Sequence, residues 1–133
     1  MRVLWIVIFL AALIWSGVAV LGGLGAVLRF MVDRTITSRS MPAFLRFPAG
    51  TLVVNASGAA LLGLLTGVAL NSTAMLFAGT ALLGSYTTFS TWMFETHRLA
   101  EEGQRWPAAA NIVVSLASGL AAAVGGHWLA GQF

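Results

Sequence analysis

From Phe47 to Phe94 the sequence contains no charged residue. A helix needs about 20 predominantly apolar residues to cross the hydrocarbon core of a bilayer. This run is long enough for two such helices, and "LNST" (Leu70 to Thr73) is the one turn-like break inside it. Only 8% of all residues are charged and 59% are hydrophobic, with a mean hydropathy of +0.90, whereas soluble domains carry about 25% charged residues. The remaining charges mark the other boundaries. Val3 to Leu28 is uncharged between Arg2 and Arg29, and Trp106 to Phe133 is uncharged to the end. Met31 to Arg46 holds Asp33, Arg34, Arg39 and Arg46 and reads as a polar loop, and His97 to Arg105 reads as another. The pattern predicts one all-α integral membrane domain over residues 1–133. Its four transmembrane helices lie near 3–30, 48–70, 74–96 and 107–130, with Pro107 in the first turn of the last, where its missing N–H costs nothing. Arg2 followed by "VLWIVIFLAALIW" resembles the start of a signal peptide, but the apolar run continues to Leu28, beyond the length of such a segment.

Several function classes drop out. There is no cysteine and no lysine, so thiol chemistry is absent. The arginines flank apolar runs without a basic stripe, which points to membrane topology and not to nucleic acid. No nucleophile–base–acid set or metal-ligand cluster suggests an enzyme. His97 reads as a solvated loop residue, and His127 is too distant in the chain to pair with it. Trp5, Trp15, Trp106 and Trp128 suit interfacial anchoring. Small residues recur at helix-packing spacing in Gly22/Ala26, Ala56/Ala60 and Gly63/Gly67, which predicts closely packed helices.

The chemistry lies in the polar groups placed at membrane depth. "GSYTTFSTWMFE" (Gly84 to Glu95) gathers Ser85, Tyr86, Thr87, Thr88, Ser90 and Thr91 where hydrocarbon is expected. Single hydroxyls commonly bond back to the preceding helical turn. So many together after a glycine predict a broken third helix, and free backbone at membrane depth survives only inside protein or along a cavity. Asn55 is an amide in the second helix, either helix–helix glue or a ligand-binding group. Thr51 lies one turn before it, and Ser115 and Ser118 add hydroxyls on the fourth helix. These groups donate hydrogen bonds and carry no charge, and the ring edges of Phe89 and Trp92 are electropositive. Such a lining suits a small anion that must bind without sticking.

"GGLGAVLRF" (Gly22 to Phe30), "GTLVVNASGAALLG" (Gly50 to Gly63) and "TTFSTWMFE" (Thr87 to Glu95) resemble, in order and spacing, the motifs of the Fluc fluoride channels, also called CrcB. The resemblance covers Gly22 to about Gly126. It implies a four-helix subunit in the plasma membrane that pairs, antiparallel, with itself or with a homologous subunit of opposite orientation. Two pores in such a dimer pass fluoride passively out of the cytoplasm. A central sodium ion, not transported, is held by backbone carbonyls at the third-helix break, which fall here on Gly84 and Thr87. By the same carry-over Asn55 and Phe89 line the fluoride pore, Thr51 and Ser115 fall on its polar track, and Arg29 and Glu95 are structural or vestibule charges.

Three departures stand out. Trp92 replaces the more usual second phenylalanine. Ser85–Tyr86 replaces a glycine followed by an apolar residue. Gly119 lacks a hydroxyl, for which Ser118 is the candidate substitute. The rival readings are a small dual-topology multidrug-type exporter, which needs an acid inside the bundle, and a non-transporting membrane assembly protein.

Overall fold

The computed structural model describes residues 1–39 and 47–133. Among these residues the secondary structure is entirely helical: α1 Arg2–Arg39, α2 Ala49–Gly67, α3 Ser72–Met75, a π-helical stretch Leu76–Leu83, α4 Gly84–Tyr86, α5 Phe89–Glu101 and α6 Arg105–Ala130. Three of them, α1, α2 and α6, are long and apolar enough to cross a membrane. The segment expected as the third crossing is divided among α3, the π-helical stretch, α4 and α5, with the chain extended at Thr87 (ψ 161°) and Thr88 (φ −149°, ψ 125°).

Two expected loops are largely helix. α1 runs through the polar segment to Arg39, because charge alone does not stop a helix and Met31 to Arg39 contains neither glycine nor proline. The rest of that loop, including Arg46, lies outside the described residues. α1 spans roughly 57 Å at 1.5 Å per residue, well beyond a hydrocarbon core of about 30 Å. α5 likewise continues through His97 to Glu101, where a loop was expected. His97–Glu101 (3.4 Å) and Arg98–Glu102 (3.3 Å) are pairs one turn apart that favour this extra length. The turn into α6 then needs Gly103, whose φ is +78°.

Close approach through small residues organises the packing. α2 and α6 form the most extensive helix contact. A Cβ at Gly63 would fall on the Ala123 carbonyl oxygen, and one at Gly126 on that of Ala60. On α1, Gly22 faces Ala81 and Ser85, and a Cβ at Gly25 would meet the Leu82 carbonyl, so α1 lies against the π-helical stretch and α4. Gly50, in the first turn of α2, meets Asp33 and Thr37, which joins the extended end of α1 to α2. Trp5, Trp15, Trp106 and Trp128 are all exposed.

Candidate ion pathway

Asn55 lies at the centre of the site. Its Nδ2 donates to the Thr88 carbonyl at 2.9 Å, and its Oδ1 accepts the Thr88 N–H at 2.8 Å. One side-chain amide thereby satisfies both backbone groups of a residue that has left the helix. Thr88 also caps α5: its Oγ1 accepts the Thr91 N–H at 3.3 Å and contacts the Thr91 and Ser90 hydroxyls. Upstream, the Thr87 N–H and hydroxyl both donate to the Leu83 carbonyl, at 2.9 and 3.0 Å. The Tyr86 hydroxyl bonds to Ser57 on α2 at 2.9 Å. The hydroxyl cluster therefore serves largely to hold the break. The Gly84 and Thr87 carbonyls accept no backbone hydrogen bond across it.

Two cavities flank the break. The first, of about 340 Å³, is an open groove lined by Asn55, Gly84, Thr87, Thr88, Phe89 and Trp92, with small and aliphatic residues of α2 and the π-helical stretch. The Phe89 and Trp92 rings meet edge to face, with centroids 5.6 Å apart and planes at 76°. Among the described residues, none that lines it is charged. The second, of about 220 Å³, is bounded by Arg29, Phe30, Asp33, Thr51, Val54, Thr88 and Thr91. Thr51 is buried beside the Glu95 carboxyl, and among the described residues Thr51 Oγ1 and Glu95 Oε2 meet no hydrogen-bond partner of standard geometry.

The sequence-predicted residues thus divide into groups. Gly84, Thr87, Asn55, Phe89 and Trp92 share the groove, and Arg29 and Thr51, with Glu95 close by, share the second cavity. Ser115 and Ser118 line neither: Ser118 bonds back to the Ser115 carbonyl at 3.3 Å, and Ser115 to Asn111 Oδ1 at 3.4 Å.

The sequence is similar to those of known proteins. The model of the family described as CrcB-like protein, Camphor Resistance (CrcB), matches residues 16–127. The chain belongs to the CrcB family. Fluoride-specific ion channel FluC 2 of Mycobacterium tuberculosis (strain ATCC 25618 / H37Rv) is 56% identical over 121 residues, covering 91% of this chain and 94% of the relative. Its namesake from Mycolicibacterium paratuberculosis is 60% identical over 117 residues, covering 88% and 93%. Fluoride-specific ion channel FluC 1 of Streptomyces avermitilis is 44% identical over 110 residues, covering 80% and 86%. CrcB membership and three apolar helices of spanning length identify a multi-pass protein of the plasma membrane.

Sequence reasoning missed Asn111. It is 1% exposed on α6, and its Nδ2 donates to Thr96 Oγ1 at 2.8 Å. The available signal was an amide in the charge-free last run, one and two turns before Ser115 and Ser118 on the same face.

Proposed function

We propose that this CrcB chain is one half of a fluoride-selective channel that lets cytoplasmic fluoride leave passively across the plasma membrane. It is not an enzyme. The observation that carries the reading is the uncharged groove where the Asn55 amide, the break of the third segment and the Phe89–Trp92 edges converge. One N–H of the Asn55 amide is spent on Thr88, and the other can donate to an anion. Electropositive ring edges complement it without fixing the ion. The names of the relatives, fluoride-specific ion channels, support the choice of anion. The direct test is fluoride efflux from proteoliposomes holding the purified protein, with no proton gradient. Fluoride should leave far faster than chloride. A requirement for a proton gradient would favour a coupled exporter, and no fluoride movement at all would end the channel reading.

The groove is open on one side, and in this reading an antiparallel partner, a second copy or a homologous subunit, closes it. The Gly84 and Thr87 carbonyls would hold the structural sodium together with their counterparts across the dimer. Neutral oxygen ligands suit a hard cation. The residues fit the ion: both carbonyls escape the helix ladder, and among the described residues the contact found within 4 Å of a Cβ at Gly84 is the Gly79 oxygen at 3.8 Å. The Thr87 hydroxyl is occupied by Leu83. Thr87→Ala is therefore expected to be milder than Gly84→Val, whose side chain would stand where the partner and the ion belong. Fluoride flux should require sodium while carrying no sodium current, and full flux in sodium-free buffer would remove the ion from this account.

Four crossings would put Arg2, the turn around Asn71 and the C-terminus on one side. Arg34, Arg39, Arg46, Arg98 and Arg105 would lie on the other, with Arg29 near that end of α1. Arginine-rich loops stay cytoplasmic, so both termini are expected outside, and a homologous subunit of opposite bias becomes a natural partner. A cysteine added at the C-terminus should react with an impermeant reagent on intact cells. Equal labelling from both sides would mean dual insertion and a homodimer.

A further inference from the structure

Trp92 differs from phenylalanine in one chemical respect that matters to an anion, its indole N–H. That donor does not serve the groove. Trp92 Nε1 donates to the Asn111 backbone carbonyl at 3.2 Å, and Asn111 lies outside the groove lining. The bond is one of three in a closed circuit between α5 and α6. The Asn111 side chain donates to Thr96 Oγ1 at 2.8 Å, and Thr96 Oγ1 donates to the Trp92 carbonyl at 2.8 Å. Asn111 is 1% exposed and Thr96 6%, so the bond between their side chains is costly to lose. Trp92 in turn meets Phe89 edge to face, and the two rings form the aromatic wall of the groove.

We infer that Asn111 is a positioning residue for this wall: its side chain pins α6 to α5 through Thr96, which sets its own backbone carbonyl where it draws the Trp92 N–H into α6, so that Trp92 offers the groove only ring hydrocarbon. The consequence for the ion rests on the reading of the groove as the fluoride path: the tryptophan there does the work of a phenylalanine. An indole N–H in the path would be a strong fixed donor, and a conducted ion must be able to leave. Asn111 removes that donor without changing the ring.

The inference is tested on the whole protein in detergent, labelled with 15N-tryptophan. The Trp92 indole signal is assigned by its loss in Trp92→Phe, and sodium fluoride is then titrated in. The Trp92 N–H resonance should stay in place across the titration, and Asn111→Leu, which breaks the Thr96 link, should shift it even without fluoride. A fluoride-dependent movement of that resonance in the unsubstituted protein would overturn the inference. So would a Trp92 signal unchanged by Asn111→Leu. In proteoliposomes Trp92→Phe, whatever its own flux, is the reference for a wall without an indole N–H. Asn111→Leu should cost about tenfold, the worth of one buried hydrogen bond. In the Trp92→Phe background the Asn111 effect should shrink, because no indole remains to be aimed. Independent, multiplying losses would instead make Asn111 a donor in its own right and overturn the positioning role. If the unsubstituted protein moves no fluoride, the channel reading fails, and the resonance measurements still decide whether Asn111 aims Trp92.

Discussion

Asn55→Ala is expected to cut fluoride flux roughly a hundredfold while leaving a protein that still inserts and assembles. The side chain satisfies both the N–H and the carbonyl of Thr88. Truncation orphans two backbone groups at a break where the helix ladder does not reach them. Each orphaned group costs about 1–3 kcal/mol. A loss of about 3 kcal/mol in holding the break corresponds to roughly a hundredfold in rate. The rest of α2 contacts α6 and α1 through other residues, so the helix itself survives. Asn55→Asp separates the two duties of the amide. It keeps an acceptor for the Thr88 N–H but sets a carboxylate oxygen against the Thr88 carbonyl and removes both N–H donors. Proteoliposome efflux together with gel filtration decides the matter. Near-normal efflux from Asn55→Ala would reduce the amide to dispensable packing, and loss of the assembled species would make its role purely structural.

The sequence is most readable where one physical cause acts alone. Hydrophobic run length located α1, α2 and α6, because spanning a bilayer depends on little else. The break was legible from the density of hydroxyls after Gly84, but not its form. The π-helical winding from Leu76 to Leu83 has no local signal in "LFAGTALL", and π-turns favour functional sites for tertiary reasons. Charge misled at both ends of the polar loops. Arg34 and Arg98 were read as loop residues, yet glycine and proline, not charge, end helices. Asn55 could be singled out, but not its reciprocal grip on Thr88, since that pairing spans 33 residues of sequence. Asn111 was passed over for a related reason: its partners Trp92 and Thr96 become visible only when α5 lies against α6.

Gly63→Leu is expected to prevent stable folding. The small-residue spacing foreshadowed this seam, and its geometry explains the severity. A Cβ at Gly63 falls on the Ala123 carbonyl, and the reverse contact, Gly126 against Ala60, closes the same crossing from the other helix. In lipid no hydrophobic force draws two apolar helices together, so van der Waals contact at close range supplies the attraction. A leucine there forces the backbones apart and also spends the Gly126–Ala60 contact, so relaxation at one point cannot rescue the other. Overpacking a tight core costs about 3 kcal/mol at the upper end of the usual range, and the obstacle here is backbone that no rotamer change can move. Gly125→Leu is the control, since a Cβ there meets nothing within 4 Å. Both substitutions replace glycine with a better helix former, so a difference between them isolates the close approach. Thermal unfolding of the detergent-solubilised protein, followed by size-exclusion chromatography, should show Gly125→Leu near the unsubstituted protein and little or no folded Gly63→Leu. Equal stability of the two would mean that the α2–α6 seam can open without penalty, and the packing account of the fold would fail.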